Sequence, residues 1–328
     1  MRQGKLTNAK LRELVIDNIE PRNAETVVGA GVGEDCCAVM TDDLCVVSTD
    51  PITAGGKQTG VLAIHINAND IAAAGAKPIA ALVTLMIPPT AEEEQIRTLM
   101  NELAHTARPL GIDIIGGHTE VTDSVTRMVV SVTMIGKPVV KGKMFKTADV
   151  LPGDDLIMTK YAGLEGTAII GSDFAGELGL TAGEQEQLSK IKESLSVVRD
   201  GEIAAKIEGV HAMHDITEGG ILGAVCEMCE ASGTGARINL SAVPVLPLTK
   251  KICRYYGLDV YGLISSGSMM IAAKDGNQVV KEMRANGVPA AVIGKAGEEG
   301  VYDLSAGSKR EITPYPADEL YKVLERGL

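Results

Sequence analysis

Five turns of this 328-residue chain place carboxylates, amides or hydroxyls beside glycine or at the end of an apolar run. In Val28-Gly-Ala-Gly-Val-Gly-Glu-Asp35, the glycines Gly29, Gly31 and Gly33 alternate with small apolar residues and two acids follow. Glycine lets backbone N–H groups approach phosphate oxygens closely, and an acid such as Asp35 at the end of such a loop can hold Mg²⁺. Ser48-Thr-Asp-Pro51 puts Thr49 and Asp50 at the end of a buried strand, where the acid reads as a ligand or as a turn cap. Asn67-Ala-Asn69-Asp70 inserts two amides and a carboxylate into an apolar helix, with Asn67 and Asp70 on one face at i, i+3. Such groups are costly to bury unless they bind something or form a satisfied network. Gly116-Gly-His-Thr-Glu120 follows a strand, where loops commonly carry ligands. His118 has no His-x₃-His or His-Glu-x-x-His companion, which argues against zinc. Last, His214-Asp-Ile-Thr-Glu-Gly-Gly220 opens a helix whose N-terminus attracts anions, and Asp215 could hold a metal bridging to them. A capping box from Thr217 is the plainer alternative.

These turns hang on alternating strand and helix signals. The β-branched run 45–49 stops at Asp50-Pro51; residues 59–76 read as an Ala/Ile/Leu-rich helix closed near Gly75, and 79–87 as a buried strand ended by Pro88-Pro89. Thr90 caps the next predicted helix, Glu92, Glu93 and Glu94 suit its positive end, and Ile96, Leu99, Met100, Leu103 and Ala107 form one apolar stripe. Strands over 112–115 and 127–135 follow. This order mixes crossovers with neighbouring strands, which favours an α+β half over a doubly wound sheet. The polar, Pro/Gly-punctuated stretch 148–155 marks a boundary between domains 1–149 and 150–328. Beyond it the pattern predicts a strand at 156–159, one long polar helical region over 181–207, a strand at 210–216, a helix over 220–231, and a closing strand, helix and strand over 268–273, 278–286 and 290–293.

Composition narrows the partners. With 43 acidic against 31 basic residues the formal charge is −12, so nucleic acid is not an expected partner. The longest apolar run, around residues 78–89, is too short to cross a bilayer, and the mixed charges of the first twenty residues do not make an export signal; a cytoplasmic protein is expected. Six cysteines in such a chain do not form a disulfide framework, and Cys226-Glu-Met-Cys229, lacking a second pair, reads as core cysteine rather than a zinc site. The glycine pattern fits neither a dinucleotide fingerprint nor a P-loop.

Taken in order, Gly31-Val-Gly-Glu-Asp35, Ser48-Thr-Asp-Pro51, His65-Ile-Asn-Ala-Asn-Asp-Ile-Ala-Ala-Ala-Gly-Ala76, Gly116-Gly-His-Thr-Glu120 and His214-Asp-Ile-Thr-Glu-Gly-Gly220 resemble the aminoimidazole ribonucleotide synthetase (PurM-like) superfamily, and within it most of all the HypE proteins of hydrogenase maturation. The resemblance spans about residues 25 to 305. It implies an α+β, PurM-like two-domain fold whose N-terminal domains pair into a β-barrel in a homodimer, with ATP in a cleft near the subunit interface. It further implies that Asp35, Asp50 and Asp70 hold Mg²⁺, that the Gly29, Gly31 and Gly33 loop covers the triphosphate, and that Thr49, Asn67, Asn69, Thr119 and Glu120 complete the nucleotide site. Asp215 and His118 are its catalytic candidates.

Three departures shape the expectation. HypE proteins convert a carbamoyl group to a nitrile on a cysteine at their own C-terminus, whereas this sequence ends in Tyr321-Lys-Val-Leu-Glu-Arg-Gly-Leu328 with Cys253 its last thiol, so tail chemistry in cis is not expected. HypE proteins and thiamine-phosphate kinases usually carry Asp where His118 stands. Selenophosphate synthetases share Gly-Gly-His-Thr but use a reactive Cys or selenocysteine near the N-terminus, and residues 1–35 contain no cysteine. The leading expectation is a HypE-like Mg²⁺-ATP-dependent enzyme that activates an amide or carbonyl oxygen on an unknown small-molecule or protein-borne substrate. A small-molecule kinase of the thiamine-monophosphate type and a non-catalytic nucleotide-binding maturation partner stand beside it.

Overall fold

The computed structural model describes residues 8–9, 26–28, 32–34, 37–40, 44–52, 58–307 and 309–325. Two mixed sheets with helices packed between and around them give the expected α+β architecture. The first is six-stranded: β1 Thr26–Val28, β2 Cys37–Met40, β3 Leu44–Ile52, β4 Ala76–Ile87, β5 Asp113–Val121 and β6 Val129–Pro138, in the spatial order β1-β2-β3-β6-β4-β5. Only β4 and β5 run parallel. The second is seven-stranded: β7 Asp155–Thr159, β8 Val210–Ile216, β9 Gly235–Ile238, β10 Ser268–Ala273, β11 Ala290–Gly297, β12 Val301–Asp303 and β13 Arg310–Glu311, in the order β13-β12-β9-β11-β7-β10-β8.

Helix α1, Thr59–Ala73, is the hinge of the architecture. Twelve of its fifteen residues are buried, because it is covered by the first sheet on one side and by the second half of the chain on the other. A helix this apolar all round can exist only in a core. Its first turn is closed by a neighbour: Glu102 Oε2 accepts from the Gly60 N–H at 3.0 Å. Glu102 lies on α2, Glu93–Ala107, where Leu99, Leu103 and Ala107 are buried along the predicted stripe. The cap of α2 differs from expectation. Pro88 O accepts from the Ala91 N–H in a turn, so the helix starts later, with Glu92 and Gln95 forming a capping box in place of Thr90.

The Gly116-Gly-His-Thr-Glu120 segment is strand, not loop, since β5 continues through it beside β4. Gly117 makes this possible: at φ +143°, a Cβ there would lie 1.8 Å from the Val83 carbonyl oxygen, so no side chain fits. The polar region expected as one helix over 181–207 is two, α5 Ala182–Glu193 and α6 Val198–Ala204, following α3 Leu164–Asp173 and α4 Ala175–Leu178. Helices α7 Gly220–Ser232, α8 Pro247–Tyr256, α9 Gly276–Ala285 and α10 Tyr321–Leu324 complete the chain. Apolar patterning located α7 and α9 but not α3, α8, β9, β12 or β13.

One apolar core runs from Val46 and Ile64 through Met213 and Met269, so both halves share it; a second fills the far side of the second sheet beneath α7. Helix α6 approaches α1 so closely that a Cβ on Gly201 would meet the Ala72 carbonyl oxygen at 2.3 Å. The outer face of β4 and β5 is uncovered and partly apolar, with Ile79, Leu82, Ile115 and Val121 exposed. Among the described residues no helix is long and apolar enough to cross a membrane.

Candidate active site

Strand β3 and helix α1 bring the predicted acids together. Residues i and i+2 of a strand share a face, so Ser48 and Asp50 both look toward α1. Ser48 Oγ donates to Asp70 Oδ2 at 2.5 Å, and the Asp50 N–H donates to Asn67 Oδ1 at 2.8 Å. Asn67 Nδ2 returns a bond to the Ala63 carbonyl at 2.9 Å. Asn67 thus fixes the backbone that presents Asp50, while Ser48 orients the Asp70 carboxylate. Ser48, Asn67 and Asp70 are buried and Asp50 is half-buried, so the pair opens outward at Asp50. Asp70 also shares a hollow of about 10 Å³ with Glu34, Thr147 and Met213. That volume admits one water-sized occupant or a small cation, not a nucleotide.

The glycine loop reaches this hollow. Glu34 Oε1 accepts from the Ala148 N–H at 3.3 Å, and Gly33 lies against Thr147 and α7. Gly29, Gly31 and Asp35 lie outside the described residues. Of the expected nucleotide and metal set, therefore, Asn67 holds the backbone of Asp50, Ser48 holds Asp70, and Glu34, which sequence reasoning did not single out, shares the hollow with Asp70; among the described residues no three acids, histidines or cysteines group closely enough to hold a metal ion.

Four expectations meet a different geometry. Thr49 points to the opposite face of β3 from Asp50 and hydrogen-bonds Thr133 across to β6 at 2.9 Å. Asn69 does not flank the acids: two residues from Asn67 on a helix means a rotation of about 200°. Its Nδ2 donates to the Leu195 carbonyl at 2.9 Å and its Oδ1 accepts from the Val197 N–H at 2.7 Å, clamping the loop between α5 and α6. His118, Thr119 and Glu120 are exposed on β5, separated from β3 by β6 and β4, about 14 Å at the usual strand spacing. His118 Nε2 lies 3.7 Å from Glu120 Oε2 there. Asp215 is wholly buried on β8, on the face shared with Met213, and so is shut off from solvent in this chain. Its neighbour His214 looks the other way, to Glu227 on α7 at 3.0 Å.

The helix N-terminus after His214-Asp-Ile-Thr-Glu-Gly-Gly220 does bind an anion, and the anion belongs to the chain. Gly219 is the N-cap of α7, without a side-chain cap, and its N–H donates to Asp318 Oδ2 at 2.7 Å. Asp318 Oδ1 accepts from the Ile264 and Leu320 N–H groups, so the Thr217 box is not used. Burial raises the Asp318 carboxyl to about 6 against these hydrogen bonds. Beside it, burial pushes Glu165 up to about 7, with Ser266 lowering it and the charges of Asp318 and Glu218 raising it further. The only sequence signal for Glu165 is an acid lodged in Gly163-Leu-Glu-Gly166 ahead of an apolar helix. On α1, burial and then the charge of Lys160 bring His65 down to about 4, so it stays neutral at physiological pH.

Comparison with known proteins identifies the family and the fold. The AIR synthase related protein N-terminal domain matches residues 25–137 and the corresponding C-terminal domain residues 152–306. A putative hydrogenase expression/formation protein of Methanocaldococcus jannaschii is 27% identical over 310 residues, covering 90% of this chain and 89% of the relative. The carbamoyl dehydratase HypE of Escherichia coli is 27% identical over 296 residues, covering 88% and 85%. The crystal structure of E. coli HypE superposes with a TM-score of 0.74 at 25% identity over 85% of this chain and 88% of that one. Two further structures share the fold: a hydrogenase maturation protein HypE in complex with ATP, at TM-score 0.71 and 20% identity over 97% of each chain, and a thiamine monophosphate kinase from Aquifex aeolicus, at 0.70 and 18% over 95% and 100%.

Two outcomes follow from the geometry. Asn69→Ala strands the buried Leu195 carbonyl and Val197 N–H, at about 1–3 kcal/mol each, and lowers the urea midpoint accordingly; an unchanged midpoint refutes the clamp. Because Glu165 and Asp318 have raised pKa values in the fold, their contribution is full below their ordinary carboxylate values and is lost as pH climbs toward 6 and 7. Urea midpoints are expected to fall from pH 5 to pH 8, with a shallower fall in Glu165→Gln.

Proposed function

Since the chain belongs to the AIR synthase related family, we propose that it is a HypE-like enzyme that uses Mg²⁺-ATP to activate an amide or carbonyl oxygen by phosphoryl transfer, in hydrogenase or related cofactor maturation. The observation that carries this reading is that Asn67 and Ser48 hold the backbone of Asp50 and the carboxylate of Asp70, with Glu34 sharing the hollow beside Asp70. Carboxylates alone would repel a triphosphate. Carboxylate oxygens such as those of Asp50 and Asp70 suit Mg²⁺ and offer nothing to a thiophilic metal, and since among the described residues no three acids, histidines or cysteines group closely enough to hold an ion, the phosphates would supply its remaining ligands. Bound there, Mg²⁺ would neutralise charge between phosphate and carboxylate oxygens.

The chain's own residues do the positioning. Asn67 and Ser48 spend their hydrogen bonds on the backbone of Asp50 and on the Asp70 carboxylate, so the acids need little reorganisation when the nucleotide arrives. Gly33 and Glu34 bring the glycine loop over the same end of α1. Asp215, being buried beneath α1, acts on this geometry through packing and not by touching substrate. His118 and Glu120 belong to the reading through assembly: two copies pairing through their β5 edges and the apolar outer faces of β4 and β5 would form the expected barrel and carry one copy's Gly116–Glu120 strand toward the other's cleft. His118 then is the solvent-facing group able to exchange a proton.

Two measurements test this. Calorimetry with Mg²⁺ and a non-hydrolysable ATP analogue should show binding that falls at least about tenfold in Asp50→Asn and Asp70→Asn and is unchanged in Thr49→Val. No binding by the wild type, or Asp50→Asn binding as tightly, overturns the reading; a phosphorylated metabolite as product would favour the kinase alternative. By light scattering the protein should be a dimer that Ile115→Lys with Val121→Lys converts to monomer, and a wild-type monomer refutes the pairing.

A further inference from the structure

A cavity of about 400 Å³ opens in the second half of the chain, walled by α3, α5, α6 and the turn that leads into β11, and the proposed nucleotide reading makes no use of it. Its floor is the Ser194–Ser196 backbone, the outer side of the loop that Asn69 clamps from within. Lys160 holds this floor. Its Nζ donates to the Ser194 carbonyl at 3.3 Å and the Ser196 carbonyl at 2.5 Å, and it lies 3.3 Å from Asp200 Oδ2. Among the described residues Lys160 is the one non-glycine residue with a positive φ, +52°, a conformation that structures retain where the surroundings enforce it and that clusters at ligand sites. Burial lowers its pKa and the Asp200 charge opposes that, so the pair is a fixed, nearly neutral base to the cavity.

What remains unused there describes an occupant. Asp200 is 1% exposed, lines the cavity, and its Oδ1 accepts no hydrogen bond. A buried carboxylate oxygen in that position calls for an N–H or O–H donor. Leu164, Ile191, Leu246 and Val288 make an apolar wall suited to a hydrocarbon or aromatic body. At the rim, Arg199 is exposed and makes no ion pair among the described residues, while Lys190 is already paired with Glu186 at 2.7 Å, so Arg199 is the cation left for an anionic group. Gln187 gives its Oε1 to the Leu248 N–H, leaving its amide donor for the cavity.

We propose that this cavity is a binding site for a small organic anion, with an apolar body against the Leu164 and Val288 wall, an N–H or O–H donated to Asp200, and a carboxylate or phosphate monoester at Arg199. The volume fits a molecule of metabolite size. Since its floor is the loop held by Asn69, an occupant bears on the same segment as α1.

The probes are N-acetylphenylalanine, which joins an aromatic body, an N–H and a carboxylate, and phenyl phosphate, which carries the phosphate in its place. Saturation-transfer NMR on the full chain, without nucleotide, keeps the result independent of the ATP reading. Binding is expected for at least one probe, with the preferred one identifying the anion class; it should weaken at least about fivefold in Arg199→Glu and be lost in Val288→Trp, which fills the cavity. Arg199 is exposed, so its variant reports even where Val288→Trp fails to fold. Absence of transfer from both probes, or binding to Arg199→Glu as tight as to the wild type, overturns the site.

Discussion

The structure depends on how α1 disposes of Asn67, Asn69 and Asp70, three of the four polar side chains it buries, in a helix that has almost no contact with water. An amide or carboxylate in such a place costs several kcal/mol unless it is hydrogen-bonded, so each must reach a partner on another element. Asn67 reaches the backbone of β3, Asp70 the hydroxyl of Ser48, and Asn69 the loop between α5 and α6. The demand for satisfaction thereby becomes a specification of position. One helix sets where the acidic strand lies, how the Asp70 carboxylate is oriented, and how the second half of the chain docks. A purely apolar α1 could pack as well but would fix none of these.

The first sheet explains why the remaining motif stands apart. Its order places two strands between β3 and β5, so no rotamer of His118 or Glu120 can bring them to Asp50 within one chain. Gly117 is required at its position by the Val83 carbonyl, which shows that the glycine pair serves strand pairing before any ligand. An edge strand with exposed Ile115 and Val121 and a row of unpaired backbone groups is a surface that proteins ordinarily cover or blunt. The proposed pairing between copies would meet that need and bring those side chains toward the other copy's cleft.

Much of this was legible in the residues. The stripe of α2 and the i, i+3 relation of Asn67 to Asp70 follow from periodicity, as does the strand leading to Asp50, although β3 does not stop at Asp50-Pro51 as expected but pairs with β6 through Ile52. What could not be read is direction. Thr49 and Asp50 are adjacent, yet strand alternation sends them to opposite faces, and nothing local says which face meets α1. Asn67 and Asn69 look equivalent in the motif although the helix turns them to different neighbours. The helix expected across 181–207 breaks because its central carbonyls and N–H groups are claimed by Asn69 and Lys160, distant residues that no window on that segment contains. Glu165 and Asp318, 153 positions apart, meet only through the fold.

That last meeting bears on what the second half can do. A helix N-terminus offers N–H groups and a positive potential, and a phosphate would be an ordinary occupant. Here Asp318 takes the Gly219 N–H and two more besides, so the terminus is already neutralised from within. Burial, above all, holds Glu165 toward its neutral form, and the carboxylate of Asp318 beside it adds to this. The acids of this half therefore divide by environment. Those near α7 are consumed in holding the chain's C-terminal segment against the core, while Asp70 on α1 shares a small hollow with Glu34. On the proposed reading the nucleotide and its cation sit against the first half, while the acids near α7 serve the packing of the second.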